Sequence, residues 1–281
     1  MKLLVEKESA LLEYLNTHLD MPKKRIKQYL THGSIYVNNQ MTKQYNYPLT
    51  VKDVIVIDTE KKEKTKLPFP IIYEDDEILV VNKPSGLLTI ATSKEKEKTL
   101  YHIVREYVKA KNKFHKIFIV HRLDKDTSGI VIFAKNEKIK KDLQENWNDY
   151  VKRREYITVV HGQLEKKQNR IIEYLKETKT HLVYASNSKE GKEAITSYQV
   201  LKETKDYSLV QVLIETGRTN QIRVAFQNLN HPIVGDSKYG IKDQEKRLFL
   251  HANRLKIYYP VIKKEILFET QTPQEFKKKL R

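Results

Sequence analysis

The chain of 281 residues contains no cysteine. That absence excludes disulfides, thiol catalysis and cysteine-ligated zinc. Its nine histidines include no closely spaced pair of the metal-ligand kind, so no metal is expected. No stretch approaches the roughly 20 apolar residues of a membrane span. The opening Met1-Lys2-Leu3-Leu4-Val5-Glu6 is too short and too soon charged for a signal peptide. A cytoplasmic protein without membrane attachment is therefore expected. Acidic residues are outnumbered, 36 against 53 lysines and arginines, for a formal net charge of +17. Such an excess favours a polyanion through phosphate contacts and counterion release, which makes nucleic acid the first partner to consider. Mixed-sign runs such as Lys94-Glu95-Lys96-Glu97-Lys98 carry the other reading, solvated loops in a lysine-rich protein. With 39% hydrophobic residues the chain can bury a core in one large or two moderate domains.

Residues 1–58 form one expected domain. Leu11, Leu12, Leu15 and Leu19 recur at helical spacing, and Pro22 opens a second helix carrying Ile26, Tyr29 and Leu30 until Gly33 stops it. Strands follow at Ile35-Tyr36-Val37 and Val54-Ile55-Val56-Ile57, with turns at Asn38-Asn39-Gln40 and Lys52-Asp53. Lys23, Lys24, Arg25 and Lys27 cluster in the first turns of the second helix, where a phosphate would meet their charges and the free amides of the helix end. Residues 59–68, charge and threonine up to Lys66 and then Leu67-Pro68, read as a linker. The second domain is then residues 69–281.

Within it, His121-Arg122-Leu123-Asp124-Lys125-Asp126-Thr127-Ser128-Gly129 is a polar loop feeding the β-branched run Ile130-Val131-Ile132-Phe133-Ala134. A carboxylate held at the edge of a core strand near Arg122 can be kept ionised and aimed into a cleft, as a nucleophile or general base requires. A local ion pair without chemistry is the alternative that these residues leave open. A hairpin spans residues 71–81 and ends in the loop Asn82-Lys83-Pro84-Ser85-Gly86-Leu87-Leu88. Leu100, Ile103, Val104, Tyr107 and Val108 make a helical stripe, and Ile117-Phe118-Ile119-Val120 a strand. Ile139, Leu143 and Trp147 suggest another helix, with Trp147 in the core. Lys152-Arg153-Arg154 at a strand entrance suit a phosphate backbone. Further strands lead to a glycine turn and a helix start at Thr216-Gly217-Arg218-Thr219-Asn220-Gln221-Ile222-Arg223. This succession of hairpins predicts an α+β domain with a mixed, largely antiparallel sheet.

The string His-Arg-Leu-Asp-x-x-Thr-Ser-Gly, with Ala134-Lys135 after the strand, resembles the signature of the RluA-type pseudouridine synthases. Asn82 to Leu88, Gly217 to Arg223, His231 to Asp236 and Leu248 to Leu255 resemble that family's further motifs. The resemblance implies the pseudouridine synthase fold, with Asp124 as the catalytic aspartate and Tyr156 set against the target base. It also implies that Arg218 pairs with Asp124, that Ile222 lines the uracil pocket, that Lys83 and Arg223 lie with the substrate, and that Arg122 fills the place vacated by the flipped uridine. The sequence departs from the family pattern at Thr89-Ile90-Ala91 and at Asn220, where histidine is frequent. The first domain, with Gly33-Ser34-Ile35-Tyr36-Val37-Asn38 at its centre, resembles the alpha-L (S-four-type) RNA-binding domain, with Asn39 where glycine is usual. That likeness assigns RNA contact to Lys23, Lys24, Arg25 and Lys27.

The chemistry agrees without the family. A glycosidase normally needs two opposed carboxylates, whereas Asp126 would crowd Asp124 rather than oppose it. Turning uridine into pseudouridine needs no external nucleophile, redox partner or energy source, so no cofactor is expected. A monomeric RNA pseudouridine synthase is the resulting expectation, acting on large-subunit ribosomal RNA, by analogy with the appended domain, in preference to transfer RNA. A non-catalytic RNA-binding assembly factor and a nucleoside hydrolase are the competing classes.

Overall fold

A computed structural model describes residues 1–31, 33–57, 66–93, 95–112, 114–186 and 188–280. The chain divides into two compact units, Met1–Thr65 and Lys66–Arg281. Of the expected linker, residues 59–65 lie outside the described residues.

The first unit runs β1 (Lys2–Leu4), β2 (Ser9–Ala10), α1 (Leu11–His18), α2 (Lys23–Thr31), β3 (Ile35–Val37), β4 (Gln40–Met41), β5 (Pro48–Leu49) and β6 (Val54–Ile57). Its sheet has the order β1-β6-β3-β4, and β2 pairs with β5. Leu11 and Leu15 of α1 and Ile26 and Leu30 of α2 close over Ile35 and Ile55, so the helical spacing of leucines becomes the core. Gly33, at φ +68°, ends α2 in the left-handed conformation that glycine adopts without penalty. Asn38 and Asn39 make the hairpin turn with φ of 48° and 66°, a conformation asparagine tolerates, so the missing glycine is accommodated. Gln40, expected in that turn, instead begins β4. Lys23, Lys24, Arg25 and Lys27 are all exposed, because the apolar positions of α2 face the other way.

The second unit continues β7 (Ile71–Glu74), β8 (Ile78–Lys83), α3 (Leu100–Lys111), β9 (Phe118–Ile119), β10 (Ser128–Ala134), α4 (Glu137–Glu145), α5 (Trp147–Tyr150), β11 (Val151–His161), β12 (Gln168–Glu177), β13 (Val183–Ser186), β14 (Lys192–Glu203), β15 (Tyr207–Ile214), α6 (Gln221–Asn228), β16 (Leu250–Tyr259), β17 (Lys264–Glu269) and α7 (Gln274–Lys278). The sheet order is β13-β12-β14-β15-β11-β16-β10-β8-β7, with β17 on β16 and β9 on β10. Neighbours are antiparallel except β10 with β16, which pair in parallel at Ser128 with His251 and Gly129 with Ala252. The unit is thus α+β with a mixed, largely antiparallel sheet.

The uninterrupted apolar run of β10 has a physical reason: helices cover both faces of the strand. Val131 and Phe133 pack with Leu100 and Val104 of α3, while Ile130 and Ile132 pack with Ile139 and Leu143 of α4. At its start Gly129 has φ +124°, and a Cβ there would lie 2.2 Å from the carbonyl oxygen of Ala252. Only glycine lets the loop carrying Asp124 enter the sheet this close to β16.

Candidate active site

Asp124, between β9 and β10, opens into a cavity of about 340 Å³ lined by His121, Arg122, Tyr156, Arg218, Ile222 and Arg223 among others. Leu123, Ile214, Leu250 and Trp147 supply apolar wall. No hydrogen bond among the described residues engages the Asp124 carboxylate. Burial pushes its pKa up, and the positive charges of Arg223, then Arg122, then Lys83 push it back down. The carboxylate is left free for a ligand while cations oppose its protonation.

Lys83 at the end of β8 and Ser85 and Thr89 in the loop after it fix the backbone around Asp124. The Thr89 hydroxyl donates to the Leu123 carbonyl at 2.6 Å, the Lys83 ammonium to the Lys125 carbonyl at 2.8 Å, and the Ser85 hydroxyl to the Asp126 carbonyl at 2.6 Å. These carbonyls flank Asp124 on both sides. Lys83 is fully buried, and its remaining N–H groups go to the carbonyls of Pro84 at 3.1 Å and Leu87 at 2.7 Å. Burial lowers its pKa to about 7 against the pull of Asp126 and Asp124.

Tyr156 reaches the cavity from β11. Burial pushes its hydroxyl up to about 12, with Arg154 opposing and Asp124 adding to the shift, so at neutral pH it is a protonated donor. His121 is pushed down to about 3, chiefly by burial and then by Arg154. Its Nε2 accepts from the Ile132 amide at 3.2 Å, and its ring lies 4.7 Å from that of Trp147. His121 therefore acts as a neutral brace.

On the far wall, α6 positions Arg223. Its Nε and Nη2 donate to the two oxygens of Asp236 at 2.7 and 2.6 Å, and its Nη1 donates to Asn220 Oδ1 at 3.0 Å. The guanidinium also stacks 4.9 Å over the Tyr239 ring. Asn220 is left-handed at φ 56° and donates to the Tyr239 hydroxyl at 3.2 Å. Asp236 additionally accepts from the amides of Lys238 and Tyr239, each at 2.9 Å. Arg223 is thus fixed on three sides with its charge close to Asp124. Among the described residues, no group of three or more histidine, aspartate or glutamate side chains could hold a metal ion. None of the described helices is long and apolar enough to cross a membrane.

The family model of the RNA pseudouridylate synthases matches residues 77–228, more than half of the chain, and the match contains the Asp124 loop, Tyr156 and Arg223. This chain belongs to that family. It is 30% identical over 95% of its length to an uncharacterized RNA pseudouridine synthase of Mycoplasma pneumoniae, 90% of which is covered. It is 29% identical over 91% of its length to the ribosomal large subunit pseudouridine synthase D of Salmonella typhimurium, 84% of which is covered. Among solved structures it resembles human RNA pseudouridylate synthase domain containing 1, with TM-score 0.63, 25% identity and coverage of 74% of this chain and 84% of that one.

The synthase departs from the sequence expectations at three places. Arg218 lines the cavity but does not pair with Asp124. Its Nε donates to the Glu193 carbonyl at 2.9 Å, and the guanidinium with the largest pull on Asp124 belongs to Arg223. The reason is local, since Arg218 stands in the exposed turn before α6, whereas Arg223 lies buried in the first turn of the helix. Lys83, expected to touch substrate, has all three N–H groups occupied by main-chain carbonyls. Trp147, expected in the core, is half-buried and divides its ring between the Ile139 and Leu143 cluster and the cavity wall. Ile222 and Arg122 do line the cavity.

The sequence reading missed Asp236, Asn220, Ser85 and Thr89 as parts of the site. Thr89 and Asn220 were noticed only as departures from the family pattern. Asp236 follows Gly235, whose φ of +75° and close contact with the Arg247 carbonyl mark a fixed turn. The signal in the sequence is the family-like stretch His231 to Asp236, which ends on that aspartate.

Proposed function

We propose that the enzyme isomerises uridines of large-subunit ribosomal RNA, with Asp124 as the reacting carboxylate and Tyr156 and Arg223 completing the machinery. The observation that carries this reading is the single carboxylate in the cavity: free of hydrogen bonds, flanked by cations and anchored through its neighbours' carbonyls. One carboxylate suits an isomerisation, because the departing base is also the returning nucleophile. The N1–C1′ bond of uridine breaks, the uracil turns within the cavity, C5 bonds to C1′, the C5 proton is released and N1 takes up a proton. Asp124 attacks or deprotonates to start this sequence, and the walls at Ile222, Leu250 and Tyr156 keep water from the freed base. The Tyr156 ring supports the uracil, and its protonated hydroxyl is a donor to it. Arg122, exposed at the rim, is positioned to fill the gap left by the flipped nucleotide. The exposed cluster Lys23, Lys24, Arg25 and Lys27 is the RNA-binding surface of the first unit, which we read as an alpha-L domain. The ribosomal target rests on the similarity to the Salmonella enzyme whose name states it.

The test uses RNA labelled with tritium at uridine C5, taken from a strain lacking the gene. Wild-type enzyme should release tritium, and mapping should place the new pseudouridine in large-subunit RNA. Asp124→Asn should release tritium at least about 10³-fold more slowly with RNA affinity and melting temperature near wild type, since the carboxylate acts in the transition state. Turnover by the Asp124→Asn protein at a rate near wild type would refute the assignment, and modification confined to transfer RNA would refute the target.

A further inference from the structure

The cavity holds more positive charge than its carboxylate requires. Arg223 is neutralised by Asp236. Arg154 and Arg218 are not: a guanidinium nitrogen of Arg154 donates to the Glu215 carbonyl, Arg218 Nε donates to the Glu193 carbonyl, and no carboxylate among the described residues pairs with either. Main-chain carbonyls orient a guanidinium without cancelling its charge. The two lie near each other, for a Cβ added at Gly217, beside Arg218, would stand 2.7 Å from Arg154 Nη1. Their mutual repulsion, after burial, lowers the pKa of Arg154. Like charges gathered in a partly buried place cost free energy, and an anionic ligand relieves that cost.

The position of the pair selects the anion. Both arginines line the same cavity as Asp124. The Tyr156 hydroxyl responds to the charges of both Arg154 and Asp124, so the carboxylate and the guanidinium share one neighbourhood. A ligand whose glycosidic carbon meets Asp124 carries its phosphate on the same sugar, within the cavity that the two arginines line.

We propose that Arg154 and Arg218 form a phosphodiester subsite that grips the phosphate adjoining the flipped uridine, so that target recognition includes one local phosphate contact separate from the basic helix of the first unit. This deepens the synthase reading and rests on it. Arg218 is then a binding residue, which accounts for its turning away from Asp124.

The test is titration calorimetry of the full-length protein with uridine, uridine 3′-monophosphate and uridine 5′-monophosphate. One of the two nucleotides should bind about tenfold or more tightly than uridine, as charge-assisted hydrogen bonds to a phosphate allow. Arg154→Gln and Arg218→Gln should each narrow that gap, and the double substitution should close it while affinity for uridine persists. Arg218 is exposed, so its variant folds and decides the matter even where Arg154→Gln does not. Nucleotides that bind no better than uridine, or a gap that survives Arg218→Gln and the double substitution, would overturn the proposal. So would an equal loss for uridine and nucleotides in a folded variant, which would assign the arginines to the uracil. Tritium release by wild-type enzyme is measured separately: turnover without nucleotide preference sinks only the subsite, and nucleotide preference without turnover sinks only the synthase reading.

Discussion

Replacing Arg223 by glutamine separates its role from that of Arg218, the arginine that the family resemblance offers as the partner of Asp124. The Arg223 side chain is 8% exposed and that of Asp236 1%, so the substitution leaves a buried carboxylate with only the amides of Lys238 and Tyr239. Breaking one partner out of such a pair costs roughly 3–5 kcal/mol, or about 10 °C in melting temperature for a unit of this size. The second effect falls on Asp124. Burial raises its pKa, and Arg223 is the foremost charge holding it down. Asp236 offsets part of the field of Arg223, and removing the guanidinium still takes away the largest opposing charge, so the Asp124 pKa should rise further. The reactive form is the anion, so activity is present above this pKa and lost as the pH falls through it. The acid limb of kcat/KM should therefore move to higher pH, with activity lost at any pH on that limb. The assay is tritium release across that limb, at a temperature well below both melting transitions. Arg223→Lys should keep the limb in place while lowering the melting temperature, and Arg218→Gln should leave the limb unmoved. An acid limb that shifts for Arg218→Gln and not for Arg223→Gln would refute this arrangement of charges.

The anchoring of the Asp124 loop makes a second prediction. Ser85→Ala with Thr89→Ala removes one half-buried and one buried donor to its carbonyls, so kcat should fall about tenfold or more with KM little changed and a loss of about 2–4 kcal/mol in stability; an unaltered kcat would show that the loop needs no anchoring. Neutralising Lys23, Lys24 and Arg25 to glutamine should weaken RNA binding for all sequences alike and lower the slope of log affinity on log salt by about one per charge, checked by titration at several salt concentrations, an unchanged slope placing that helix off the RNA. His251, buried between Ser128 Oγ at 2.8 Å and Thr270 Oγ1 at 2.8 Å, is lowered from 6.5 to about 4, chiefly by burial and then by Arg247, and His121 to about 3. The folded protein keeps both neutral while the unfolded chain protonates them. Their contribution is full above about pH 6.5 and is lost as the pH falls towards about 4, a few kcal/mol in all. Melting temperatures should drop over that window, less steeply for His251→Asn, and an identical slope in that variant would remove histidine as the cause.

Where a residue type had one structural use, the sequence was enough to place it. The β-branched run after Gly129 had to be a strand buried on both faces, and the leucine spacing of residues 11–19 had to be a helix against a sheet. The Asp124 loop was legible for the same reason, since its motif is continuous in the chain. What escaped depends on meetings across long sequence separations. Nothing near residue 89 announces that its hydroxyl will reach the carbonyl of Leu123, and nothing near Asp236 announces Arg223. The family resemblance also points to Arg218 as the partner of Asp124, where the structure has Arg223. The choice is made by where α6 begins, and the left-handed Asn220 sets that boundary, so one arginine falls in an exposed turn and the other on an inward face.

That boundary has a chemical consequence. A carboxylate that must react cannot also be consumed by a tight bidentate pair, because the hydrogen bonds that hold it ionised would occupy the lone pairs it needs. The synthase separates the two tasks. Asp236 takes the bidentate bonds of Arg223, which fixes the guanidinium and tempers its charge, and the remaining field opposes the upward pull of burial on the Asp124 pKa without a hydrogen bond to the carboxylate. Orientation of Asp124 comes instead from its backbone, through the carbonyls of residues 123, 125 and 126. On the proposed assignment the side chain is therefore preorganised by bonds that leave its carboxylate free for substrate.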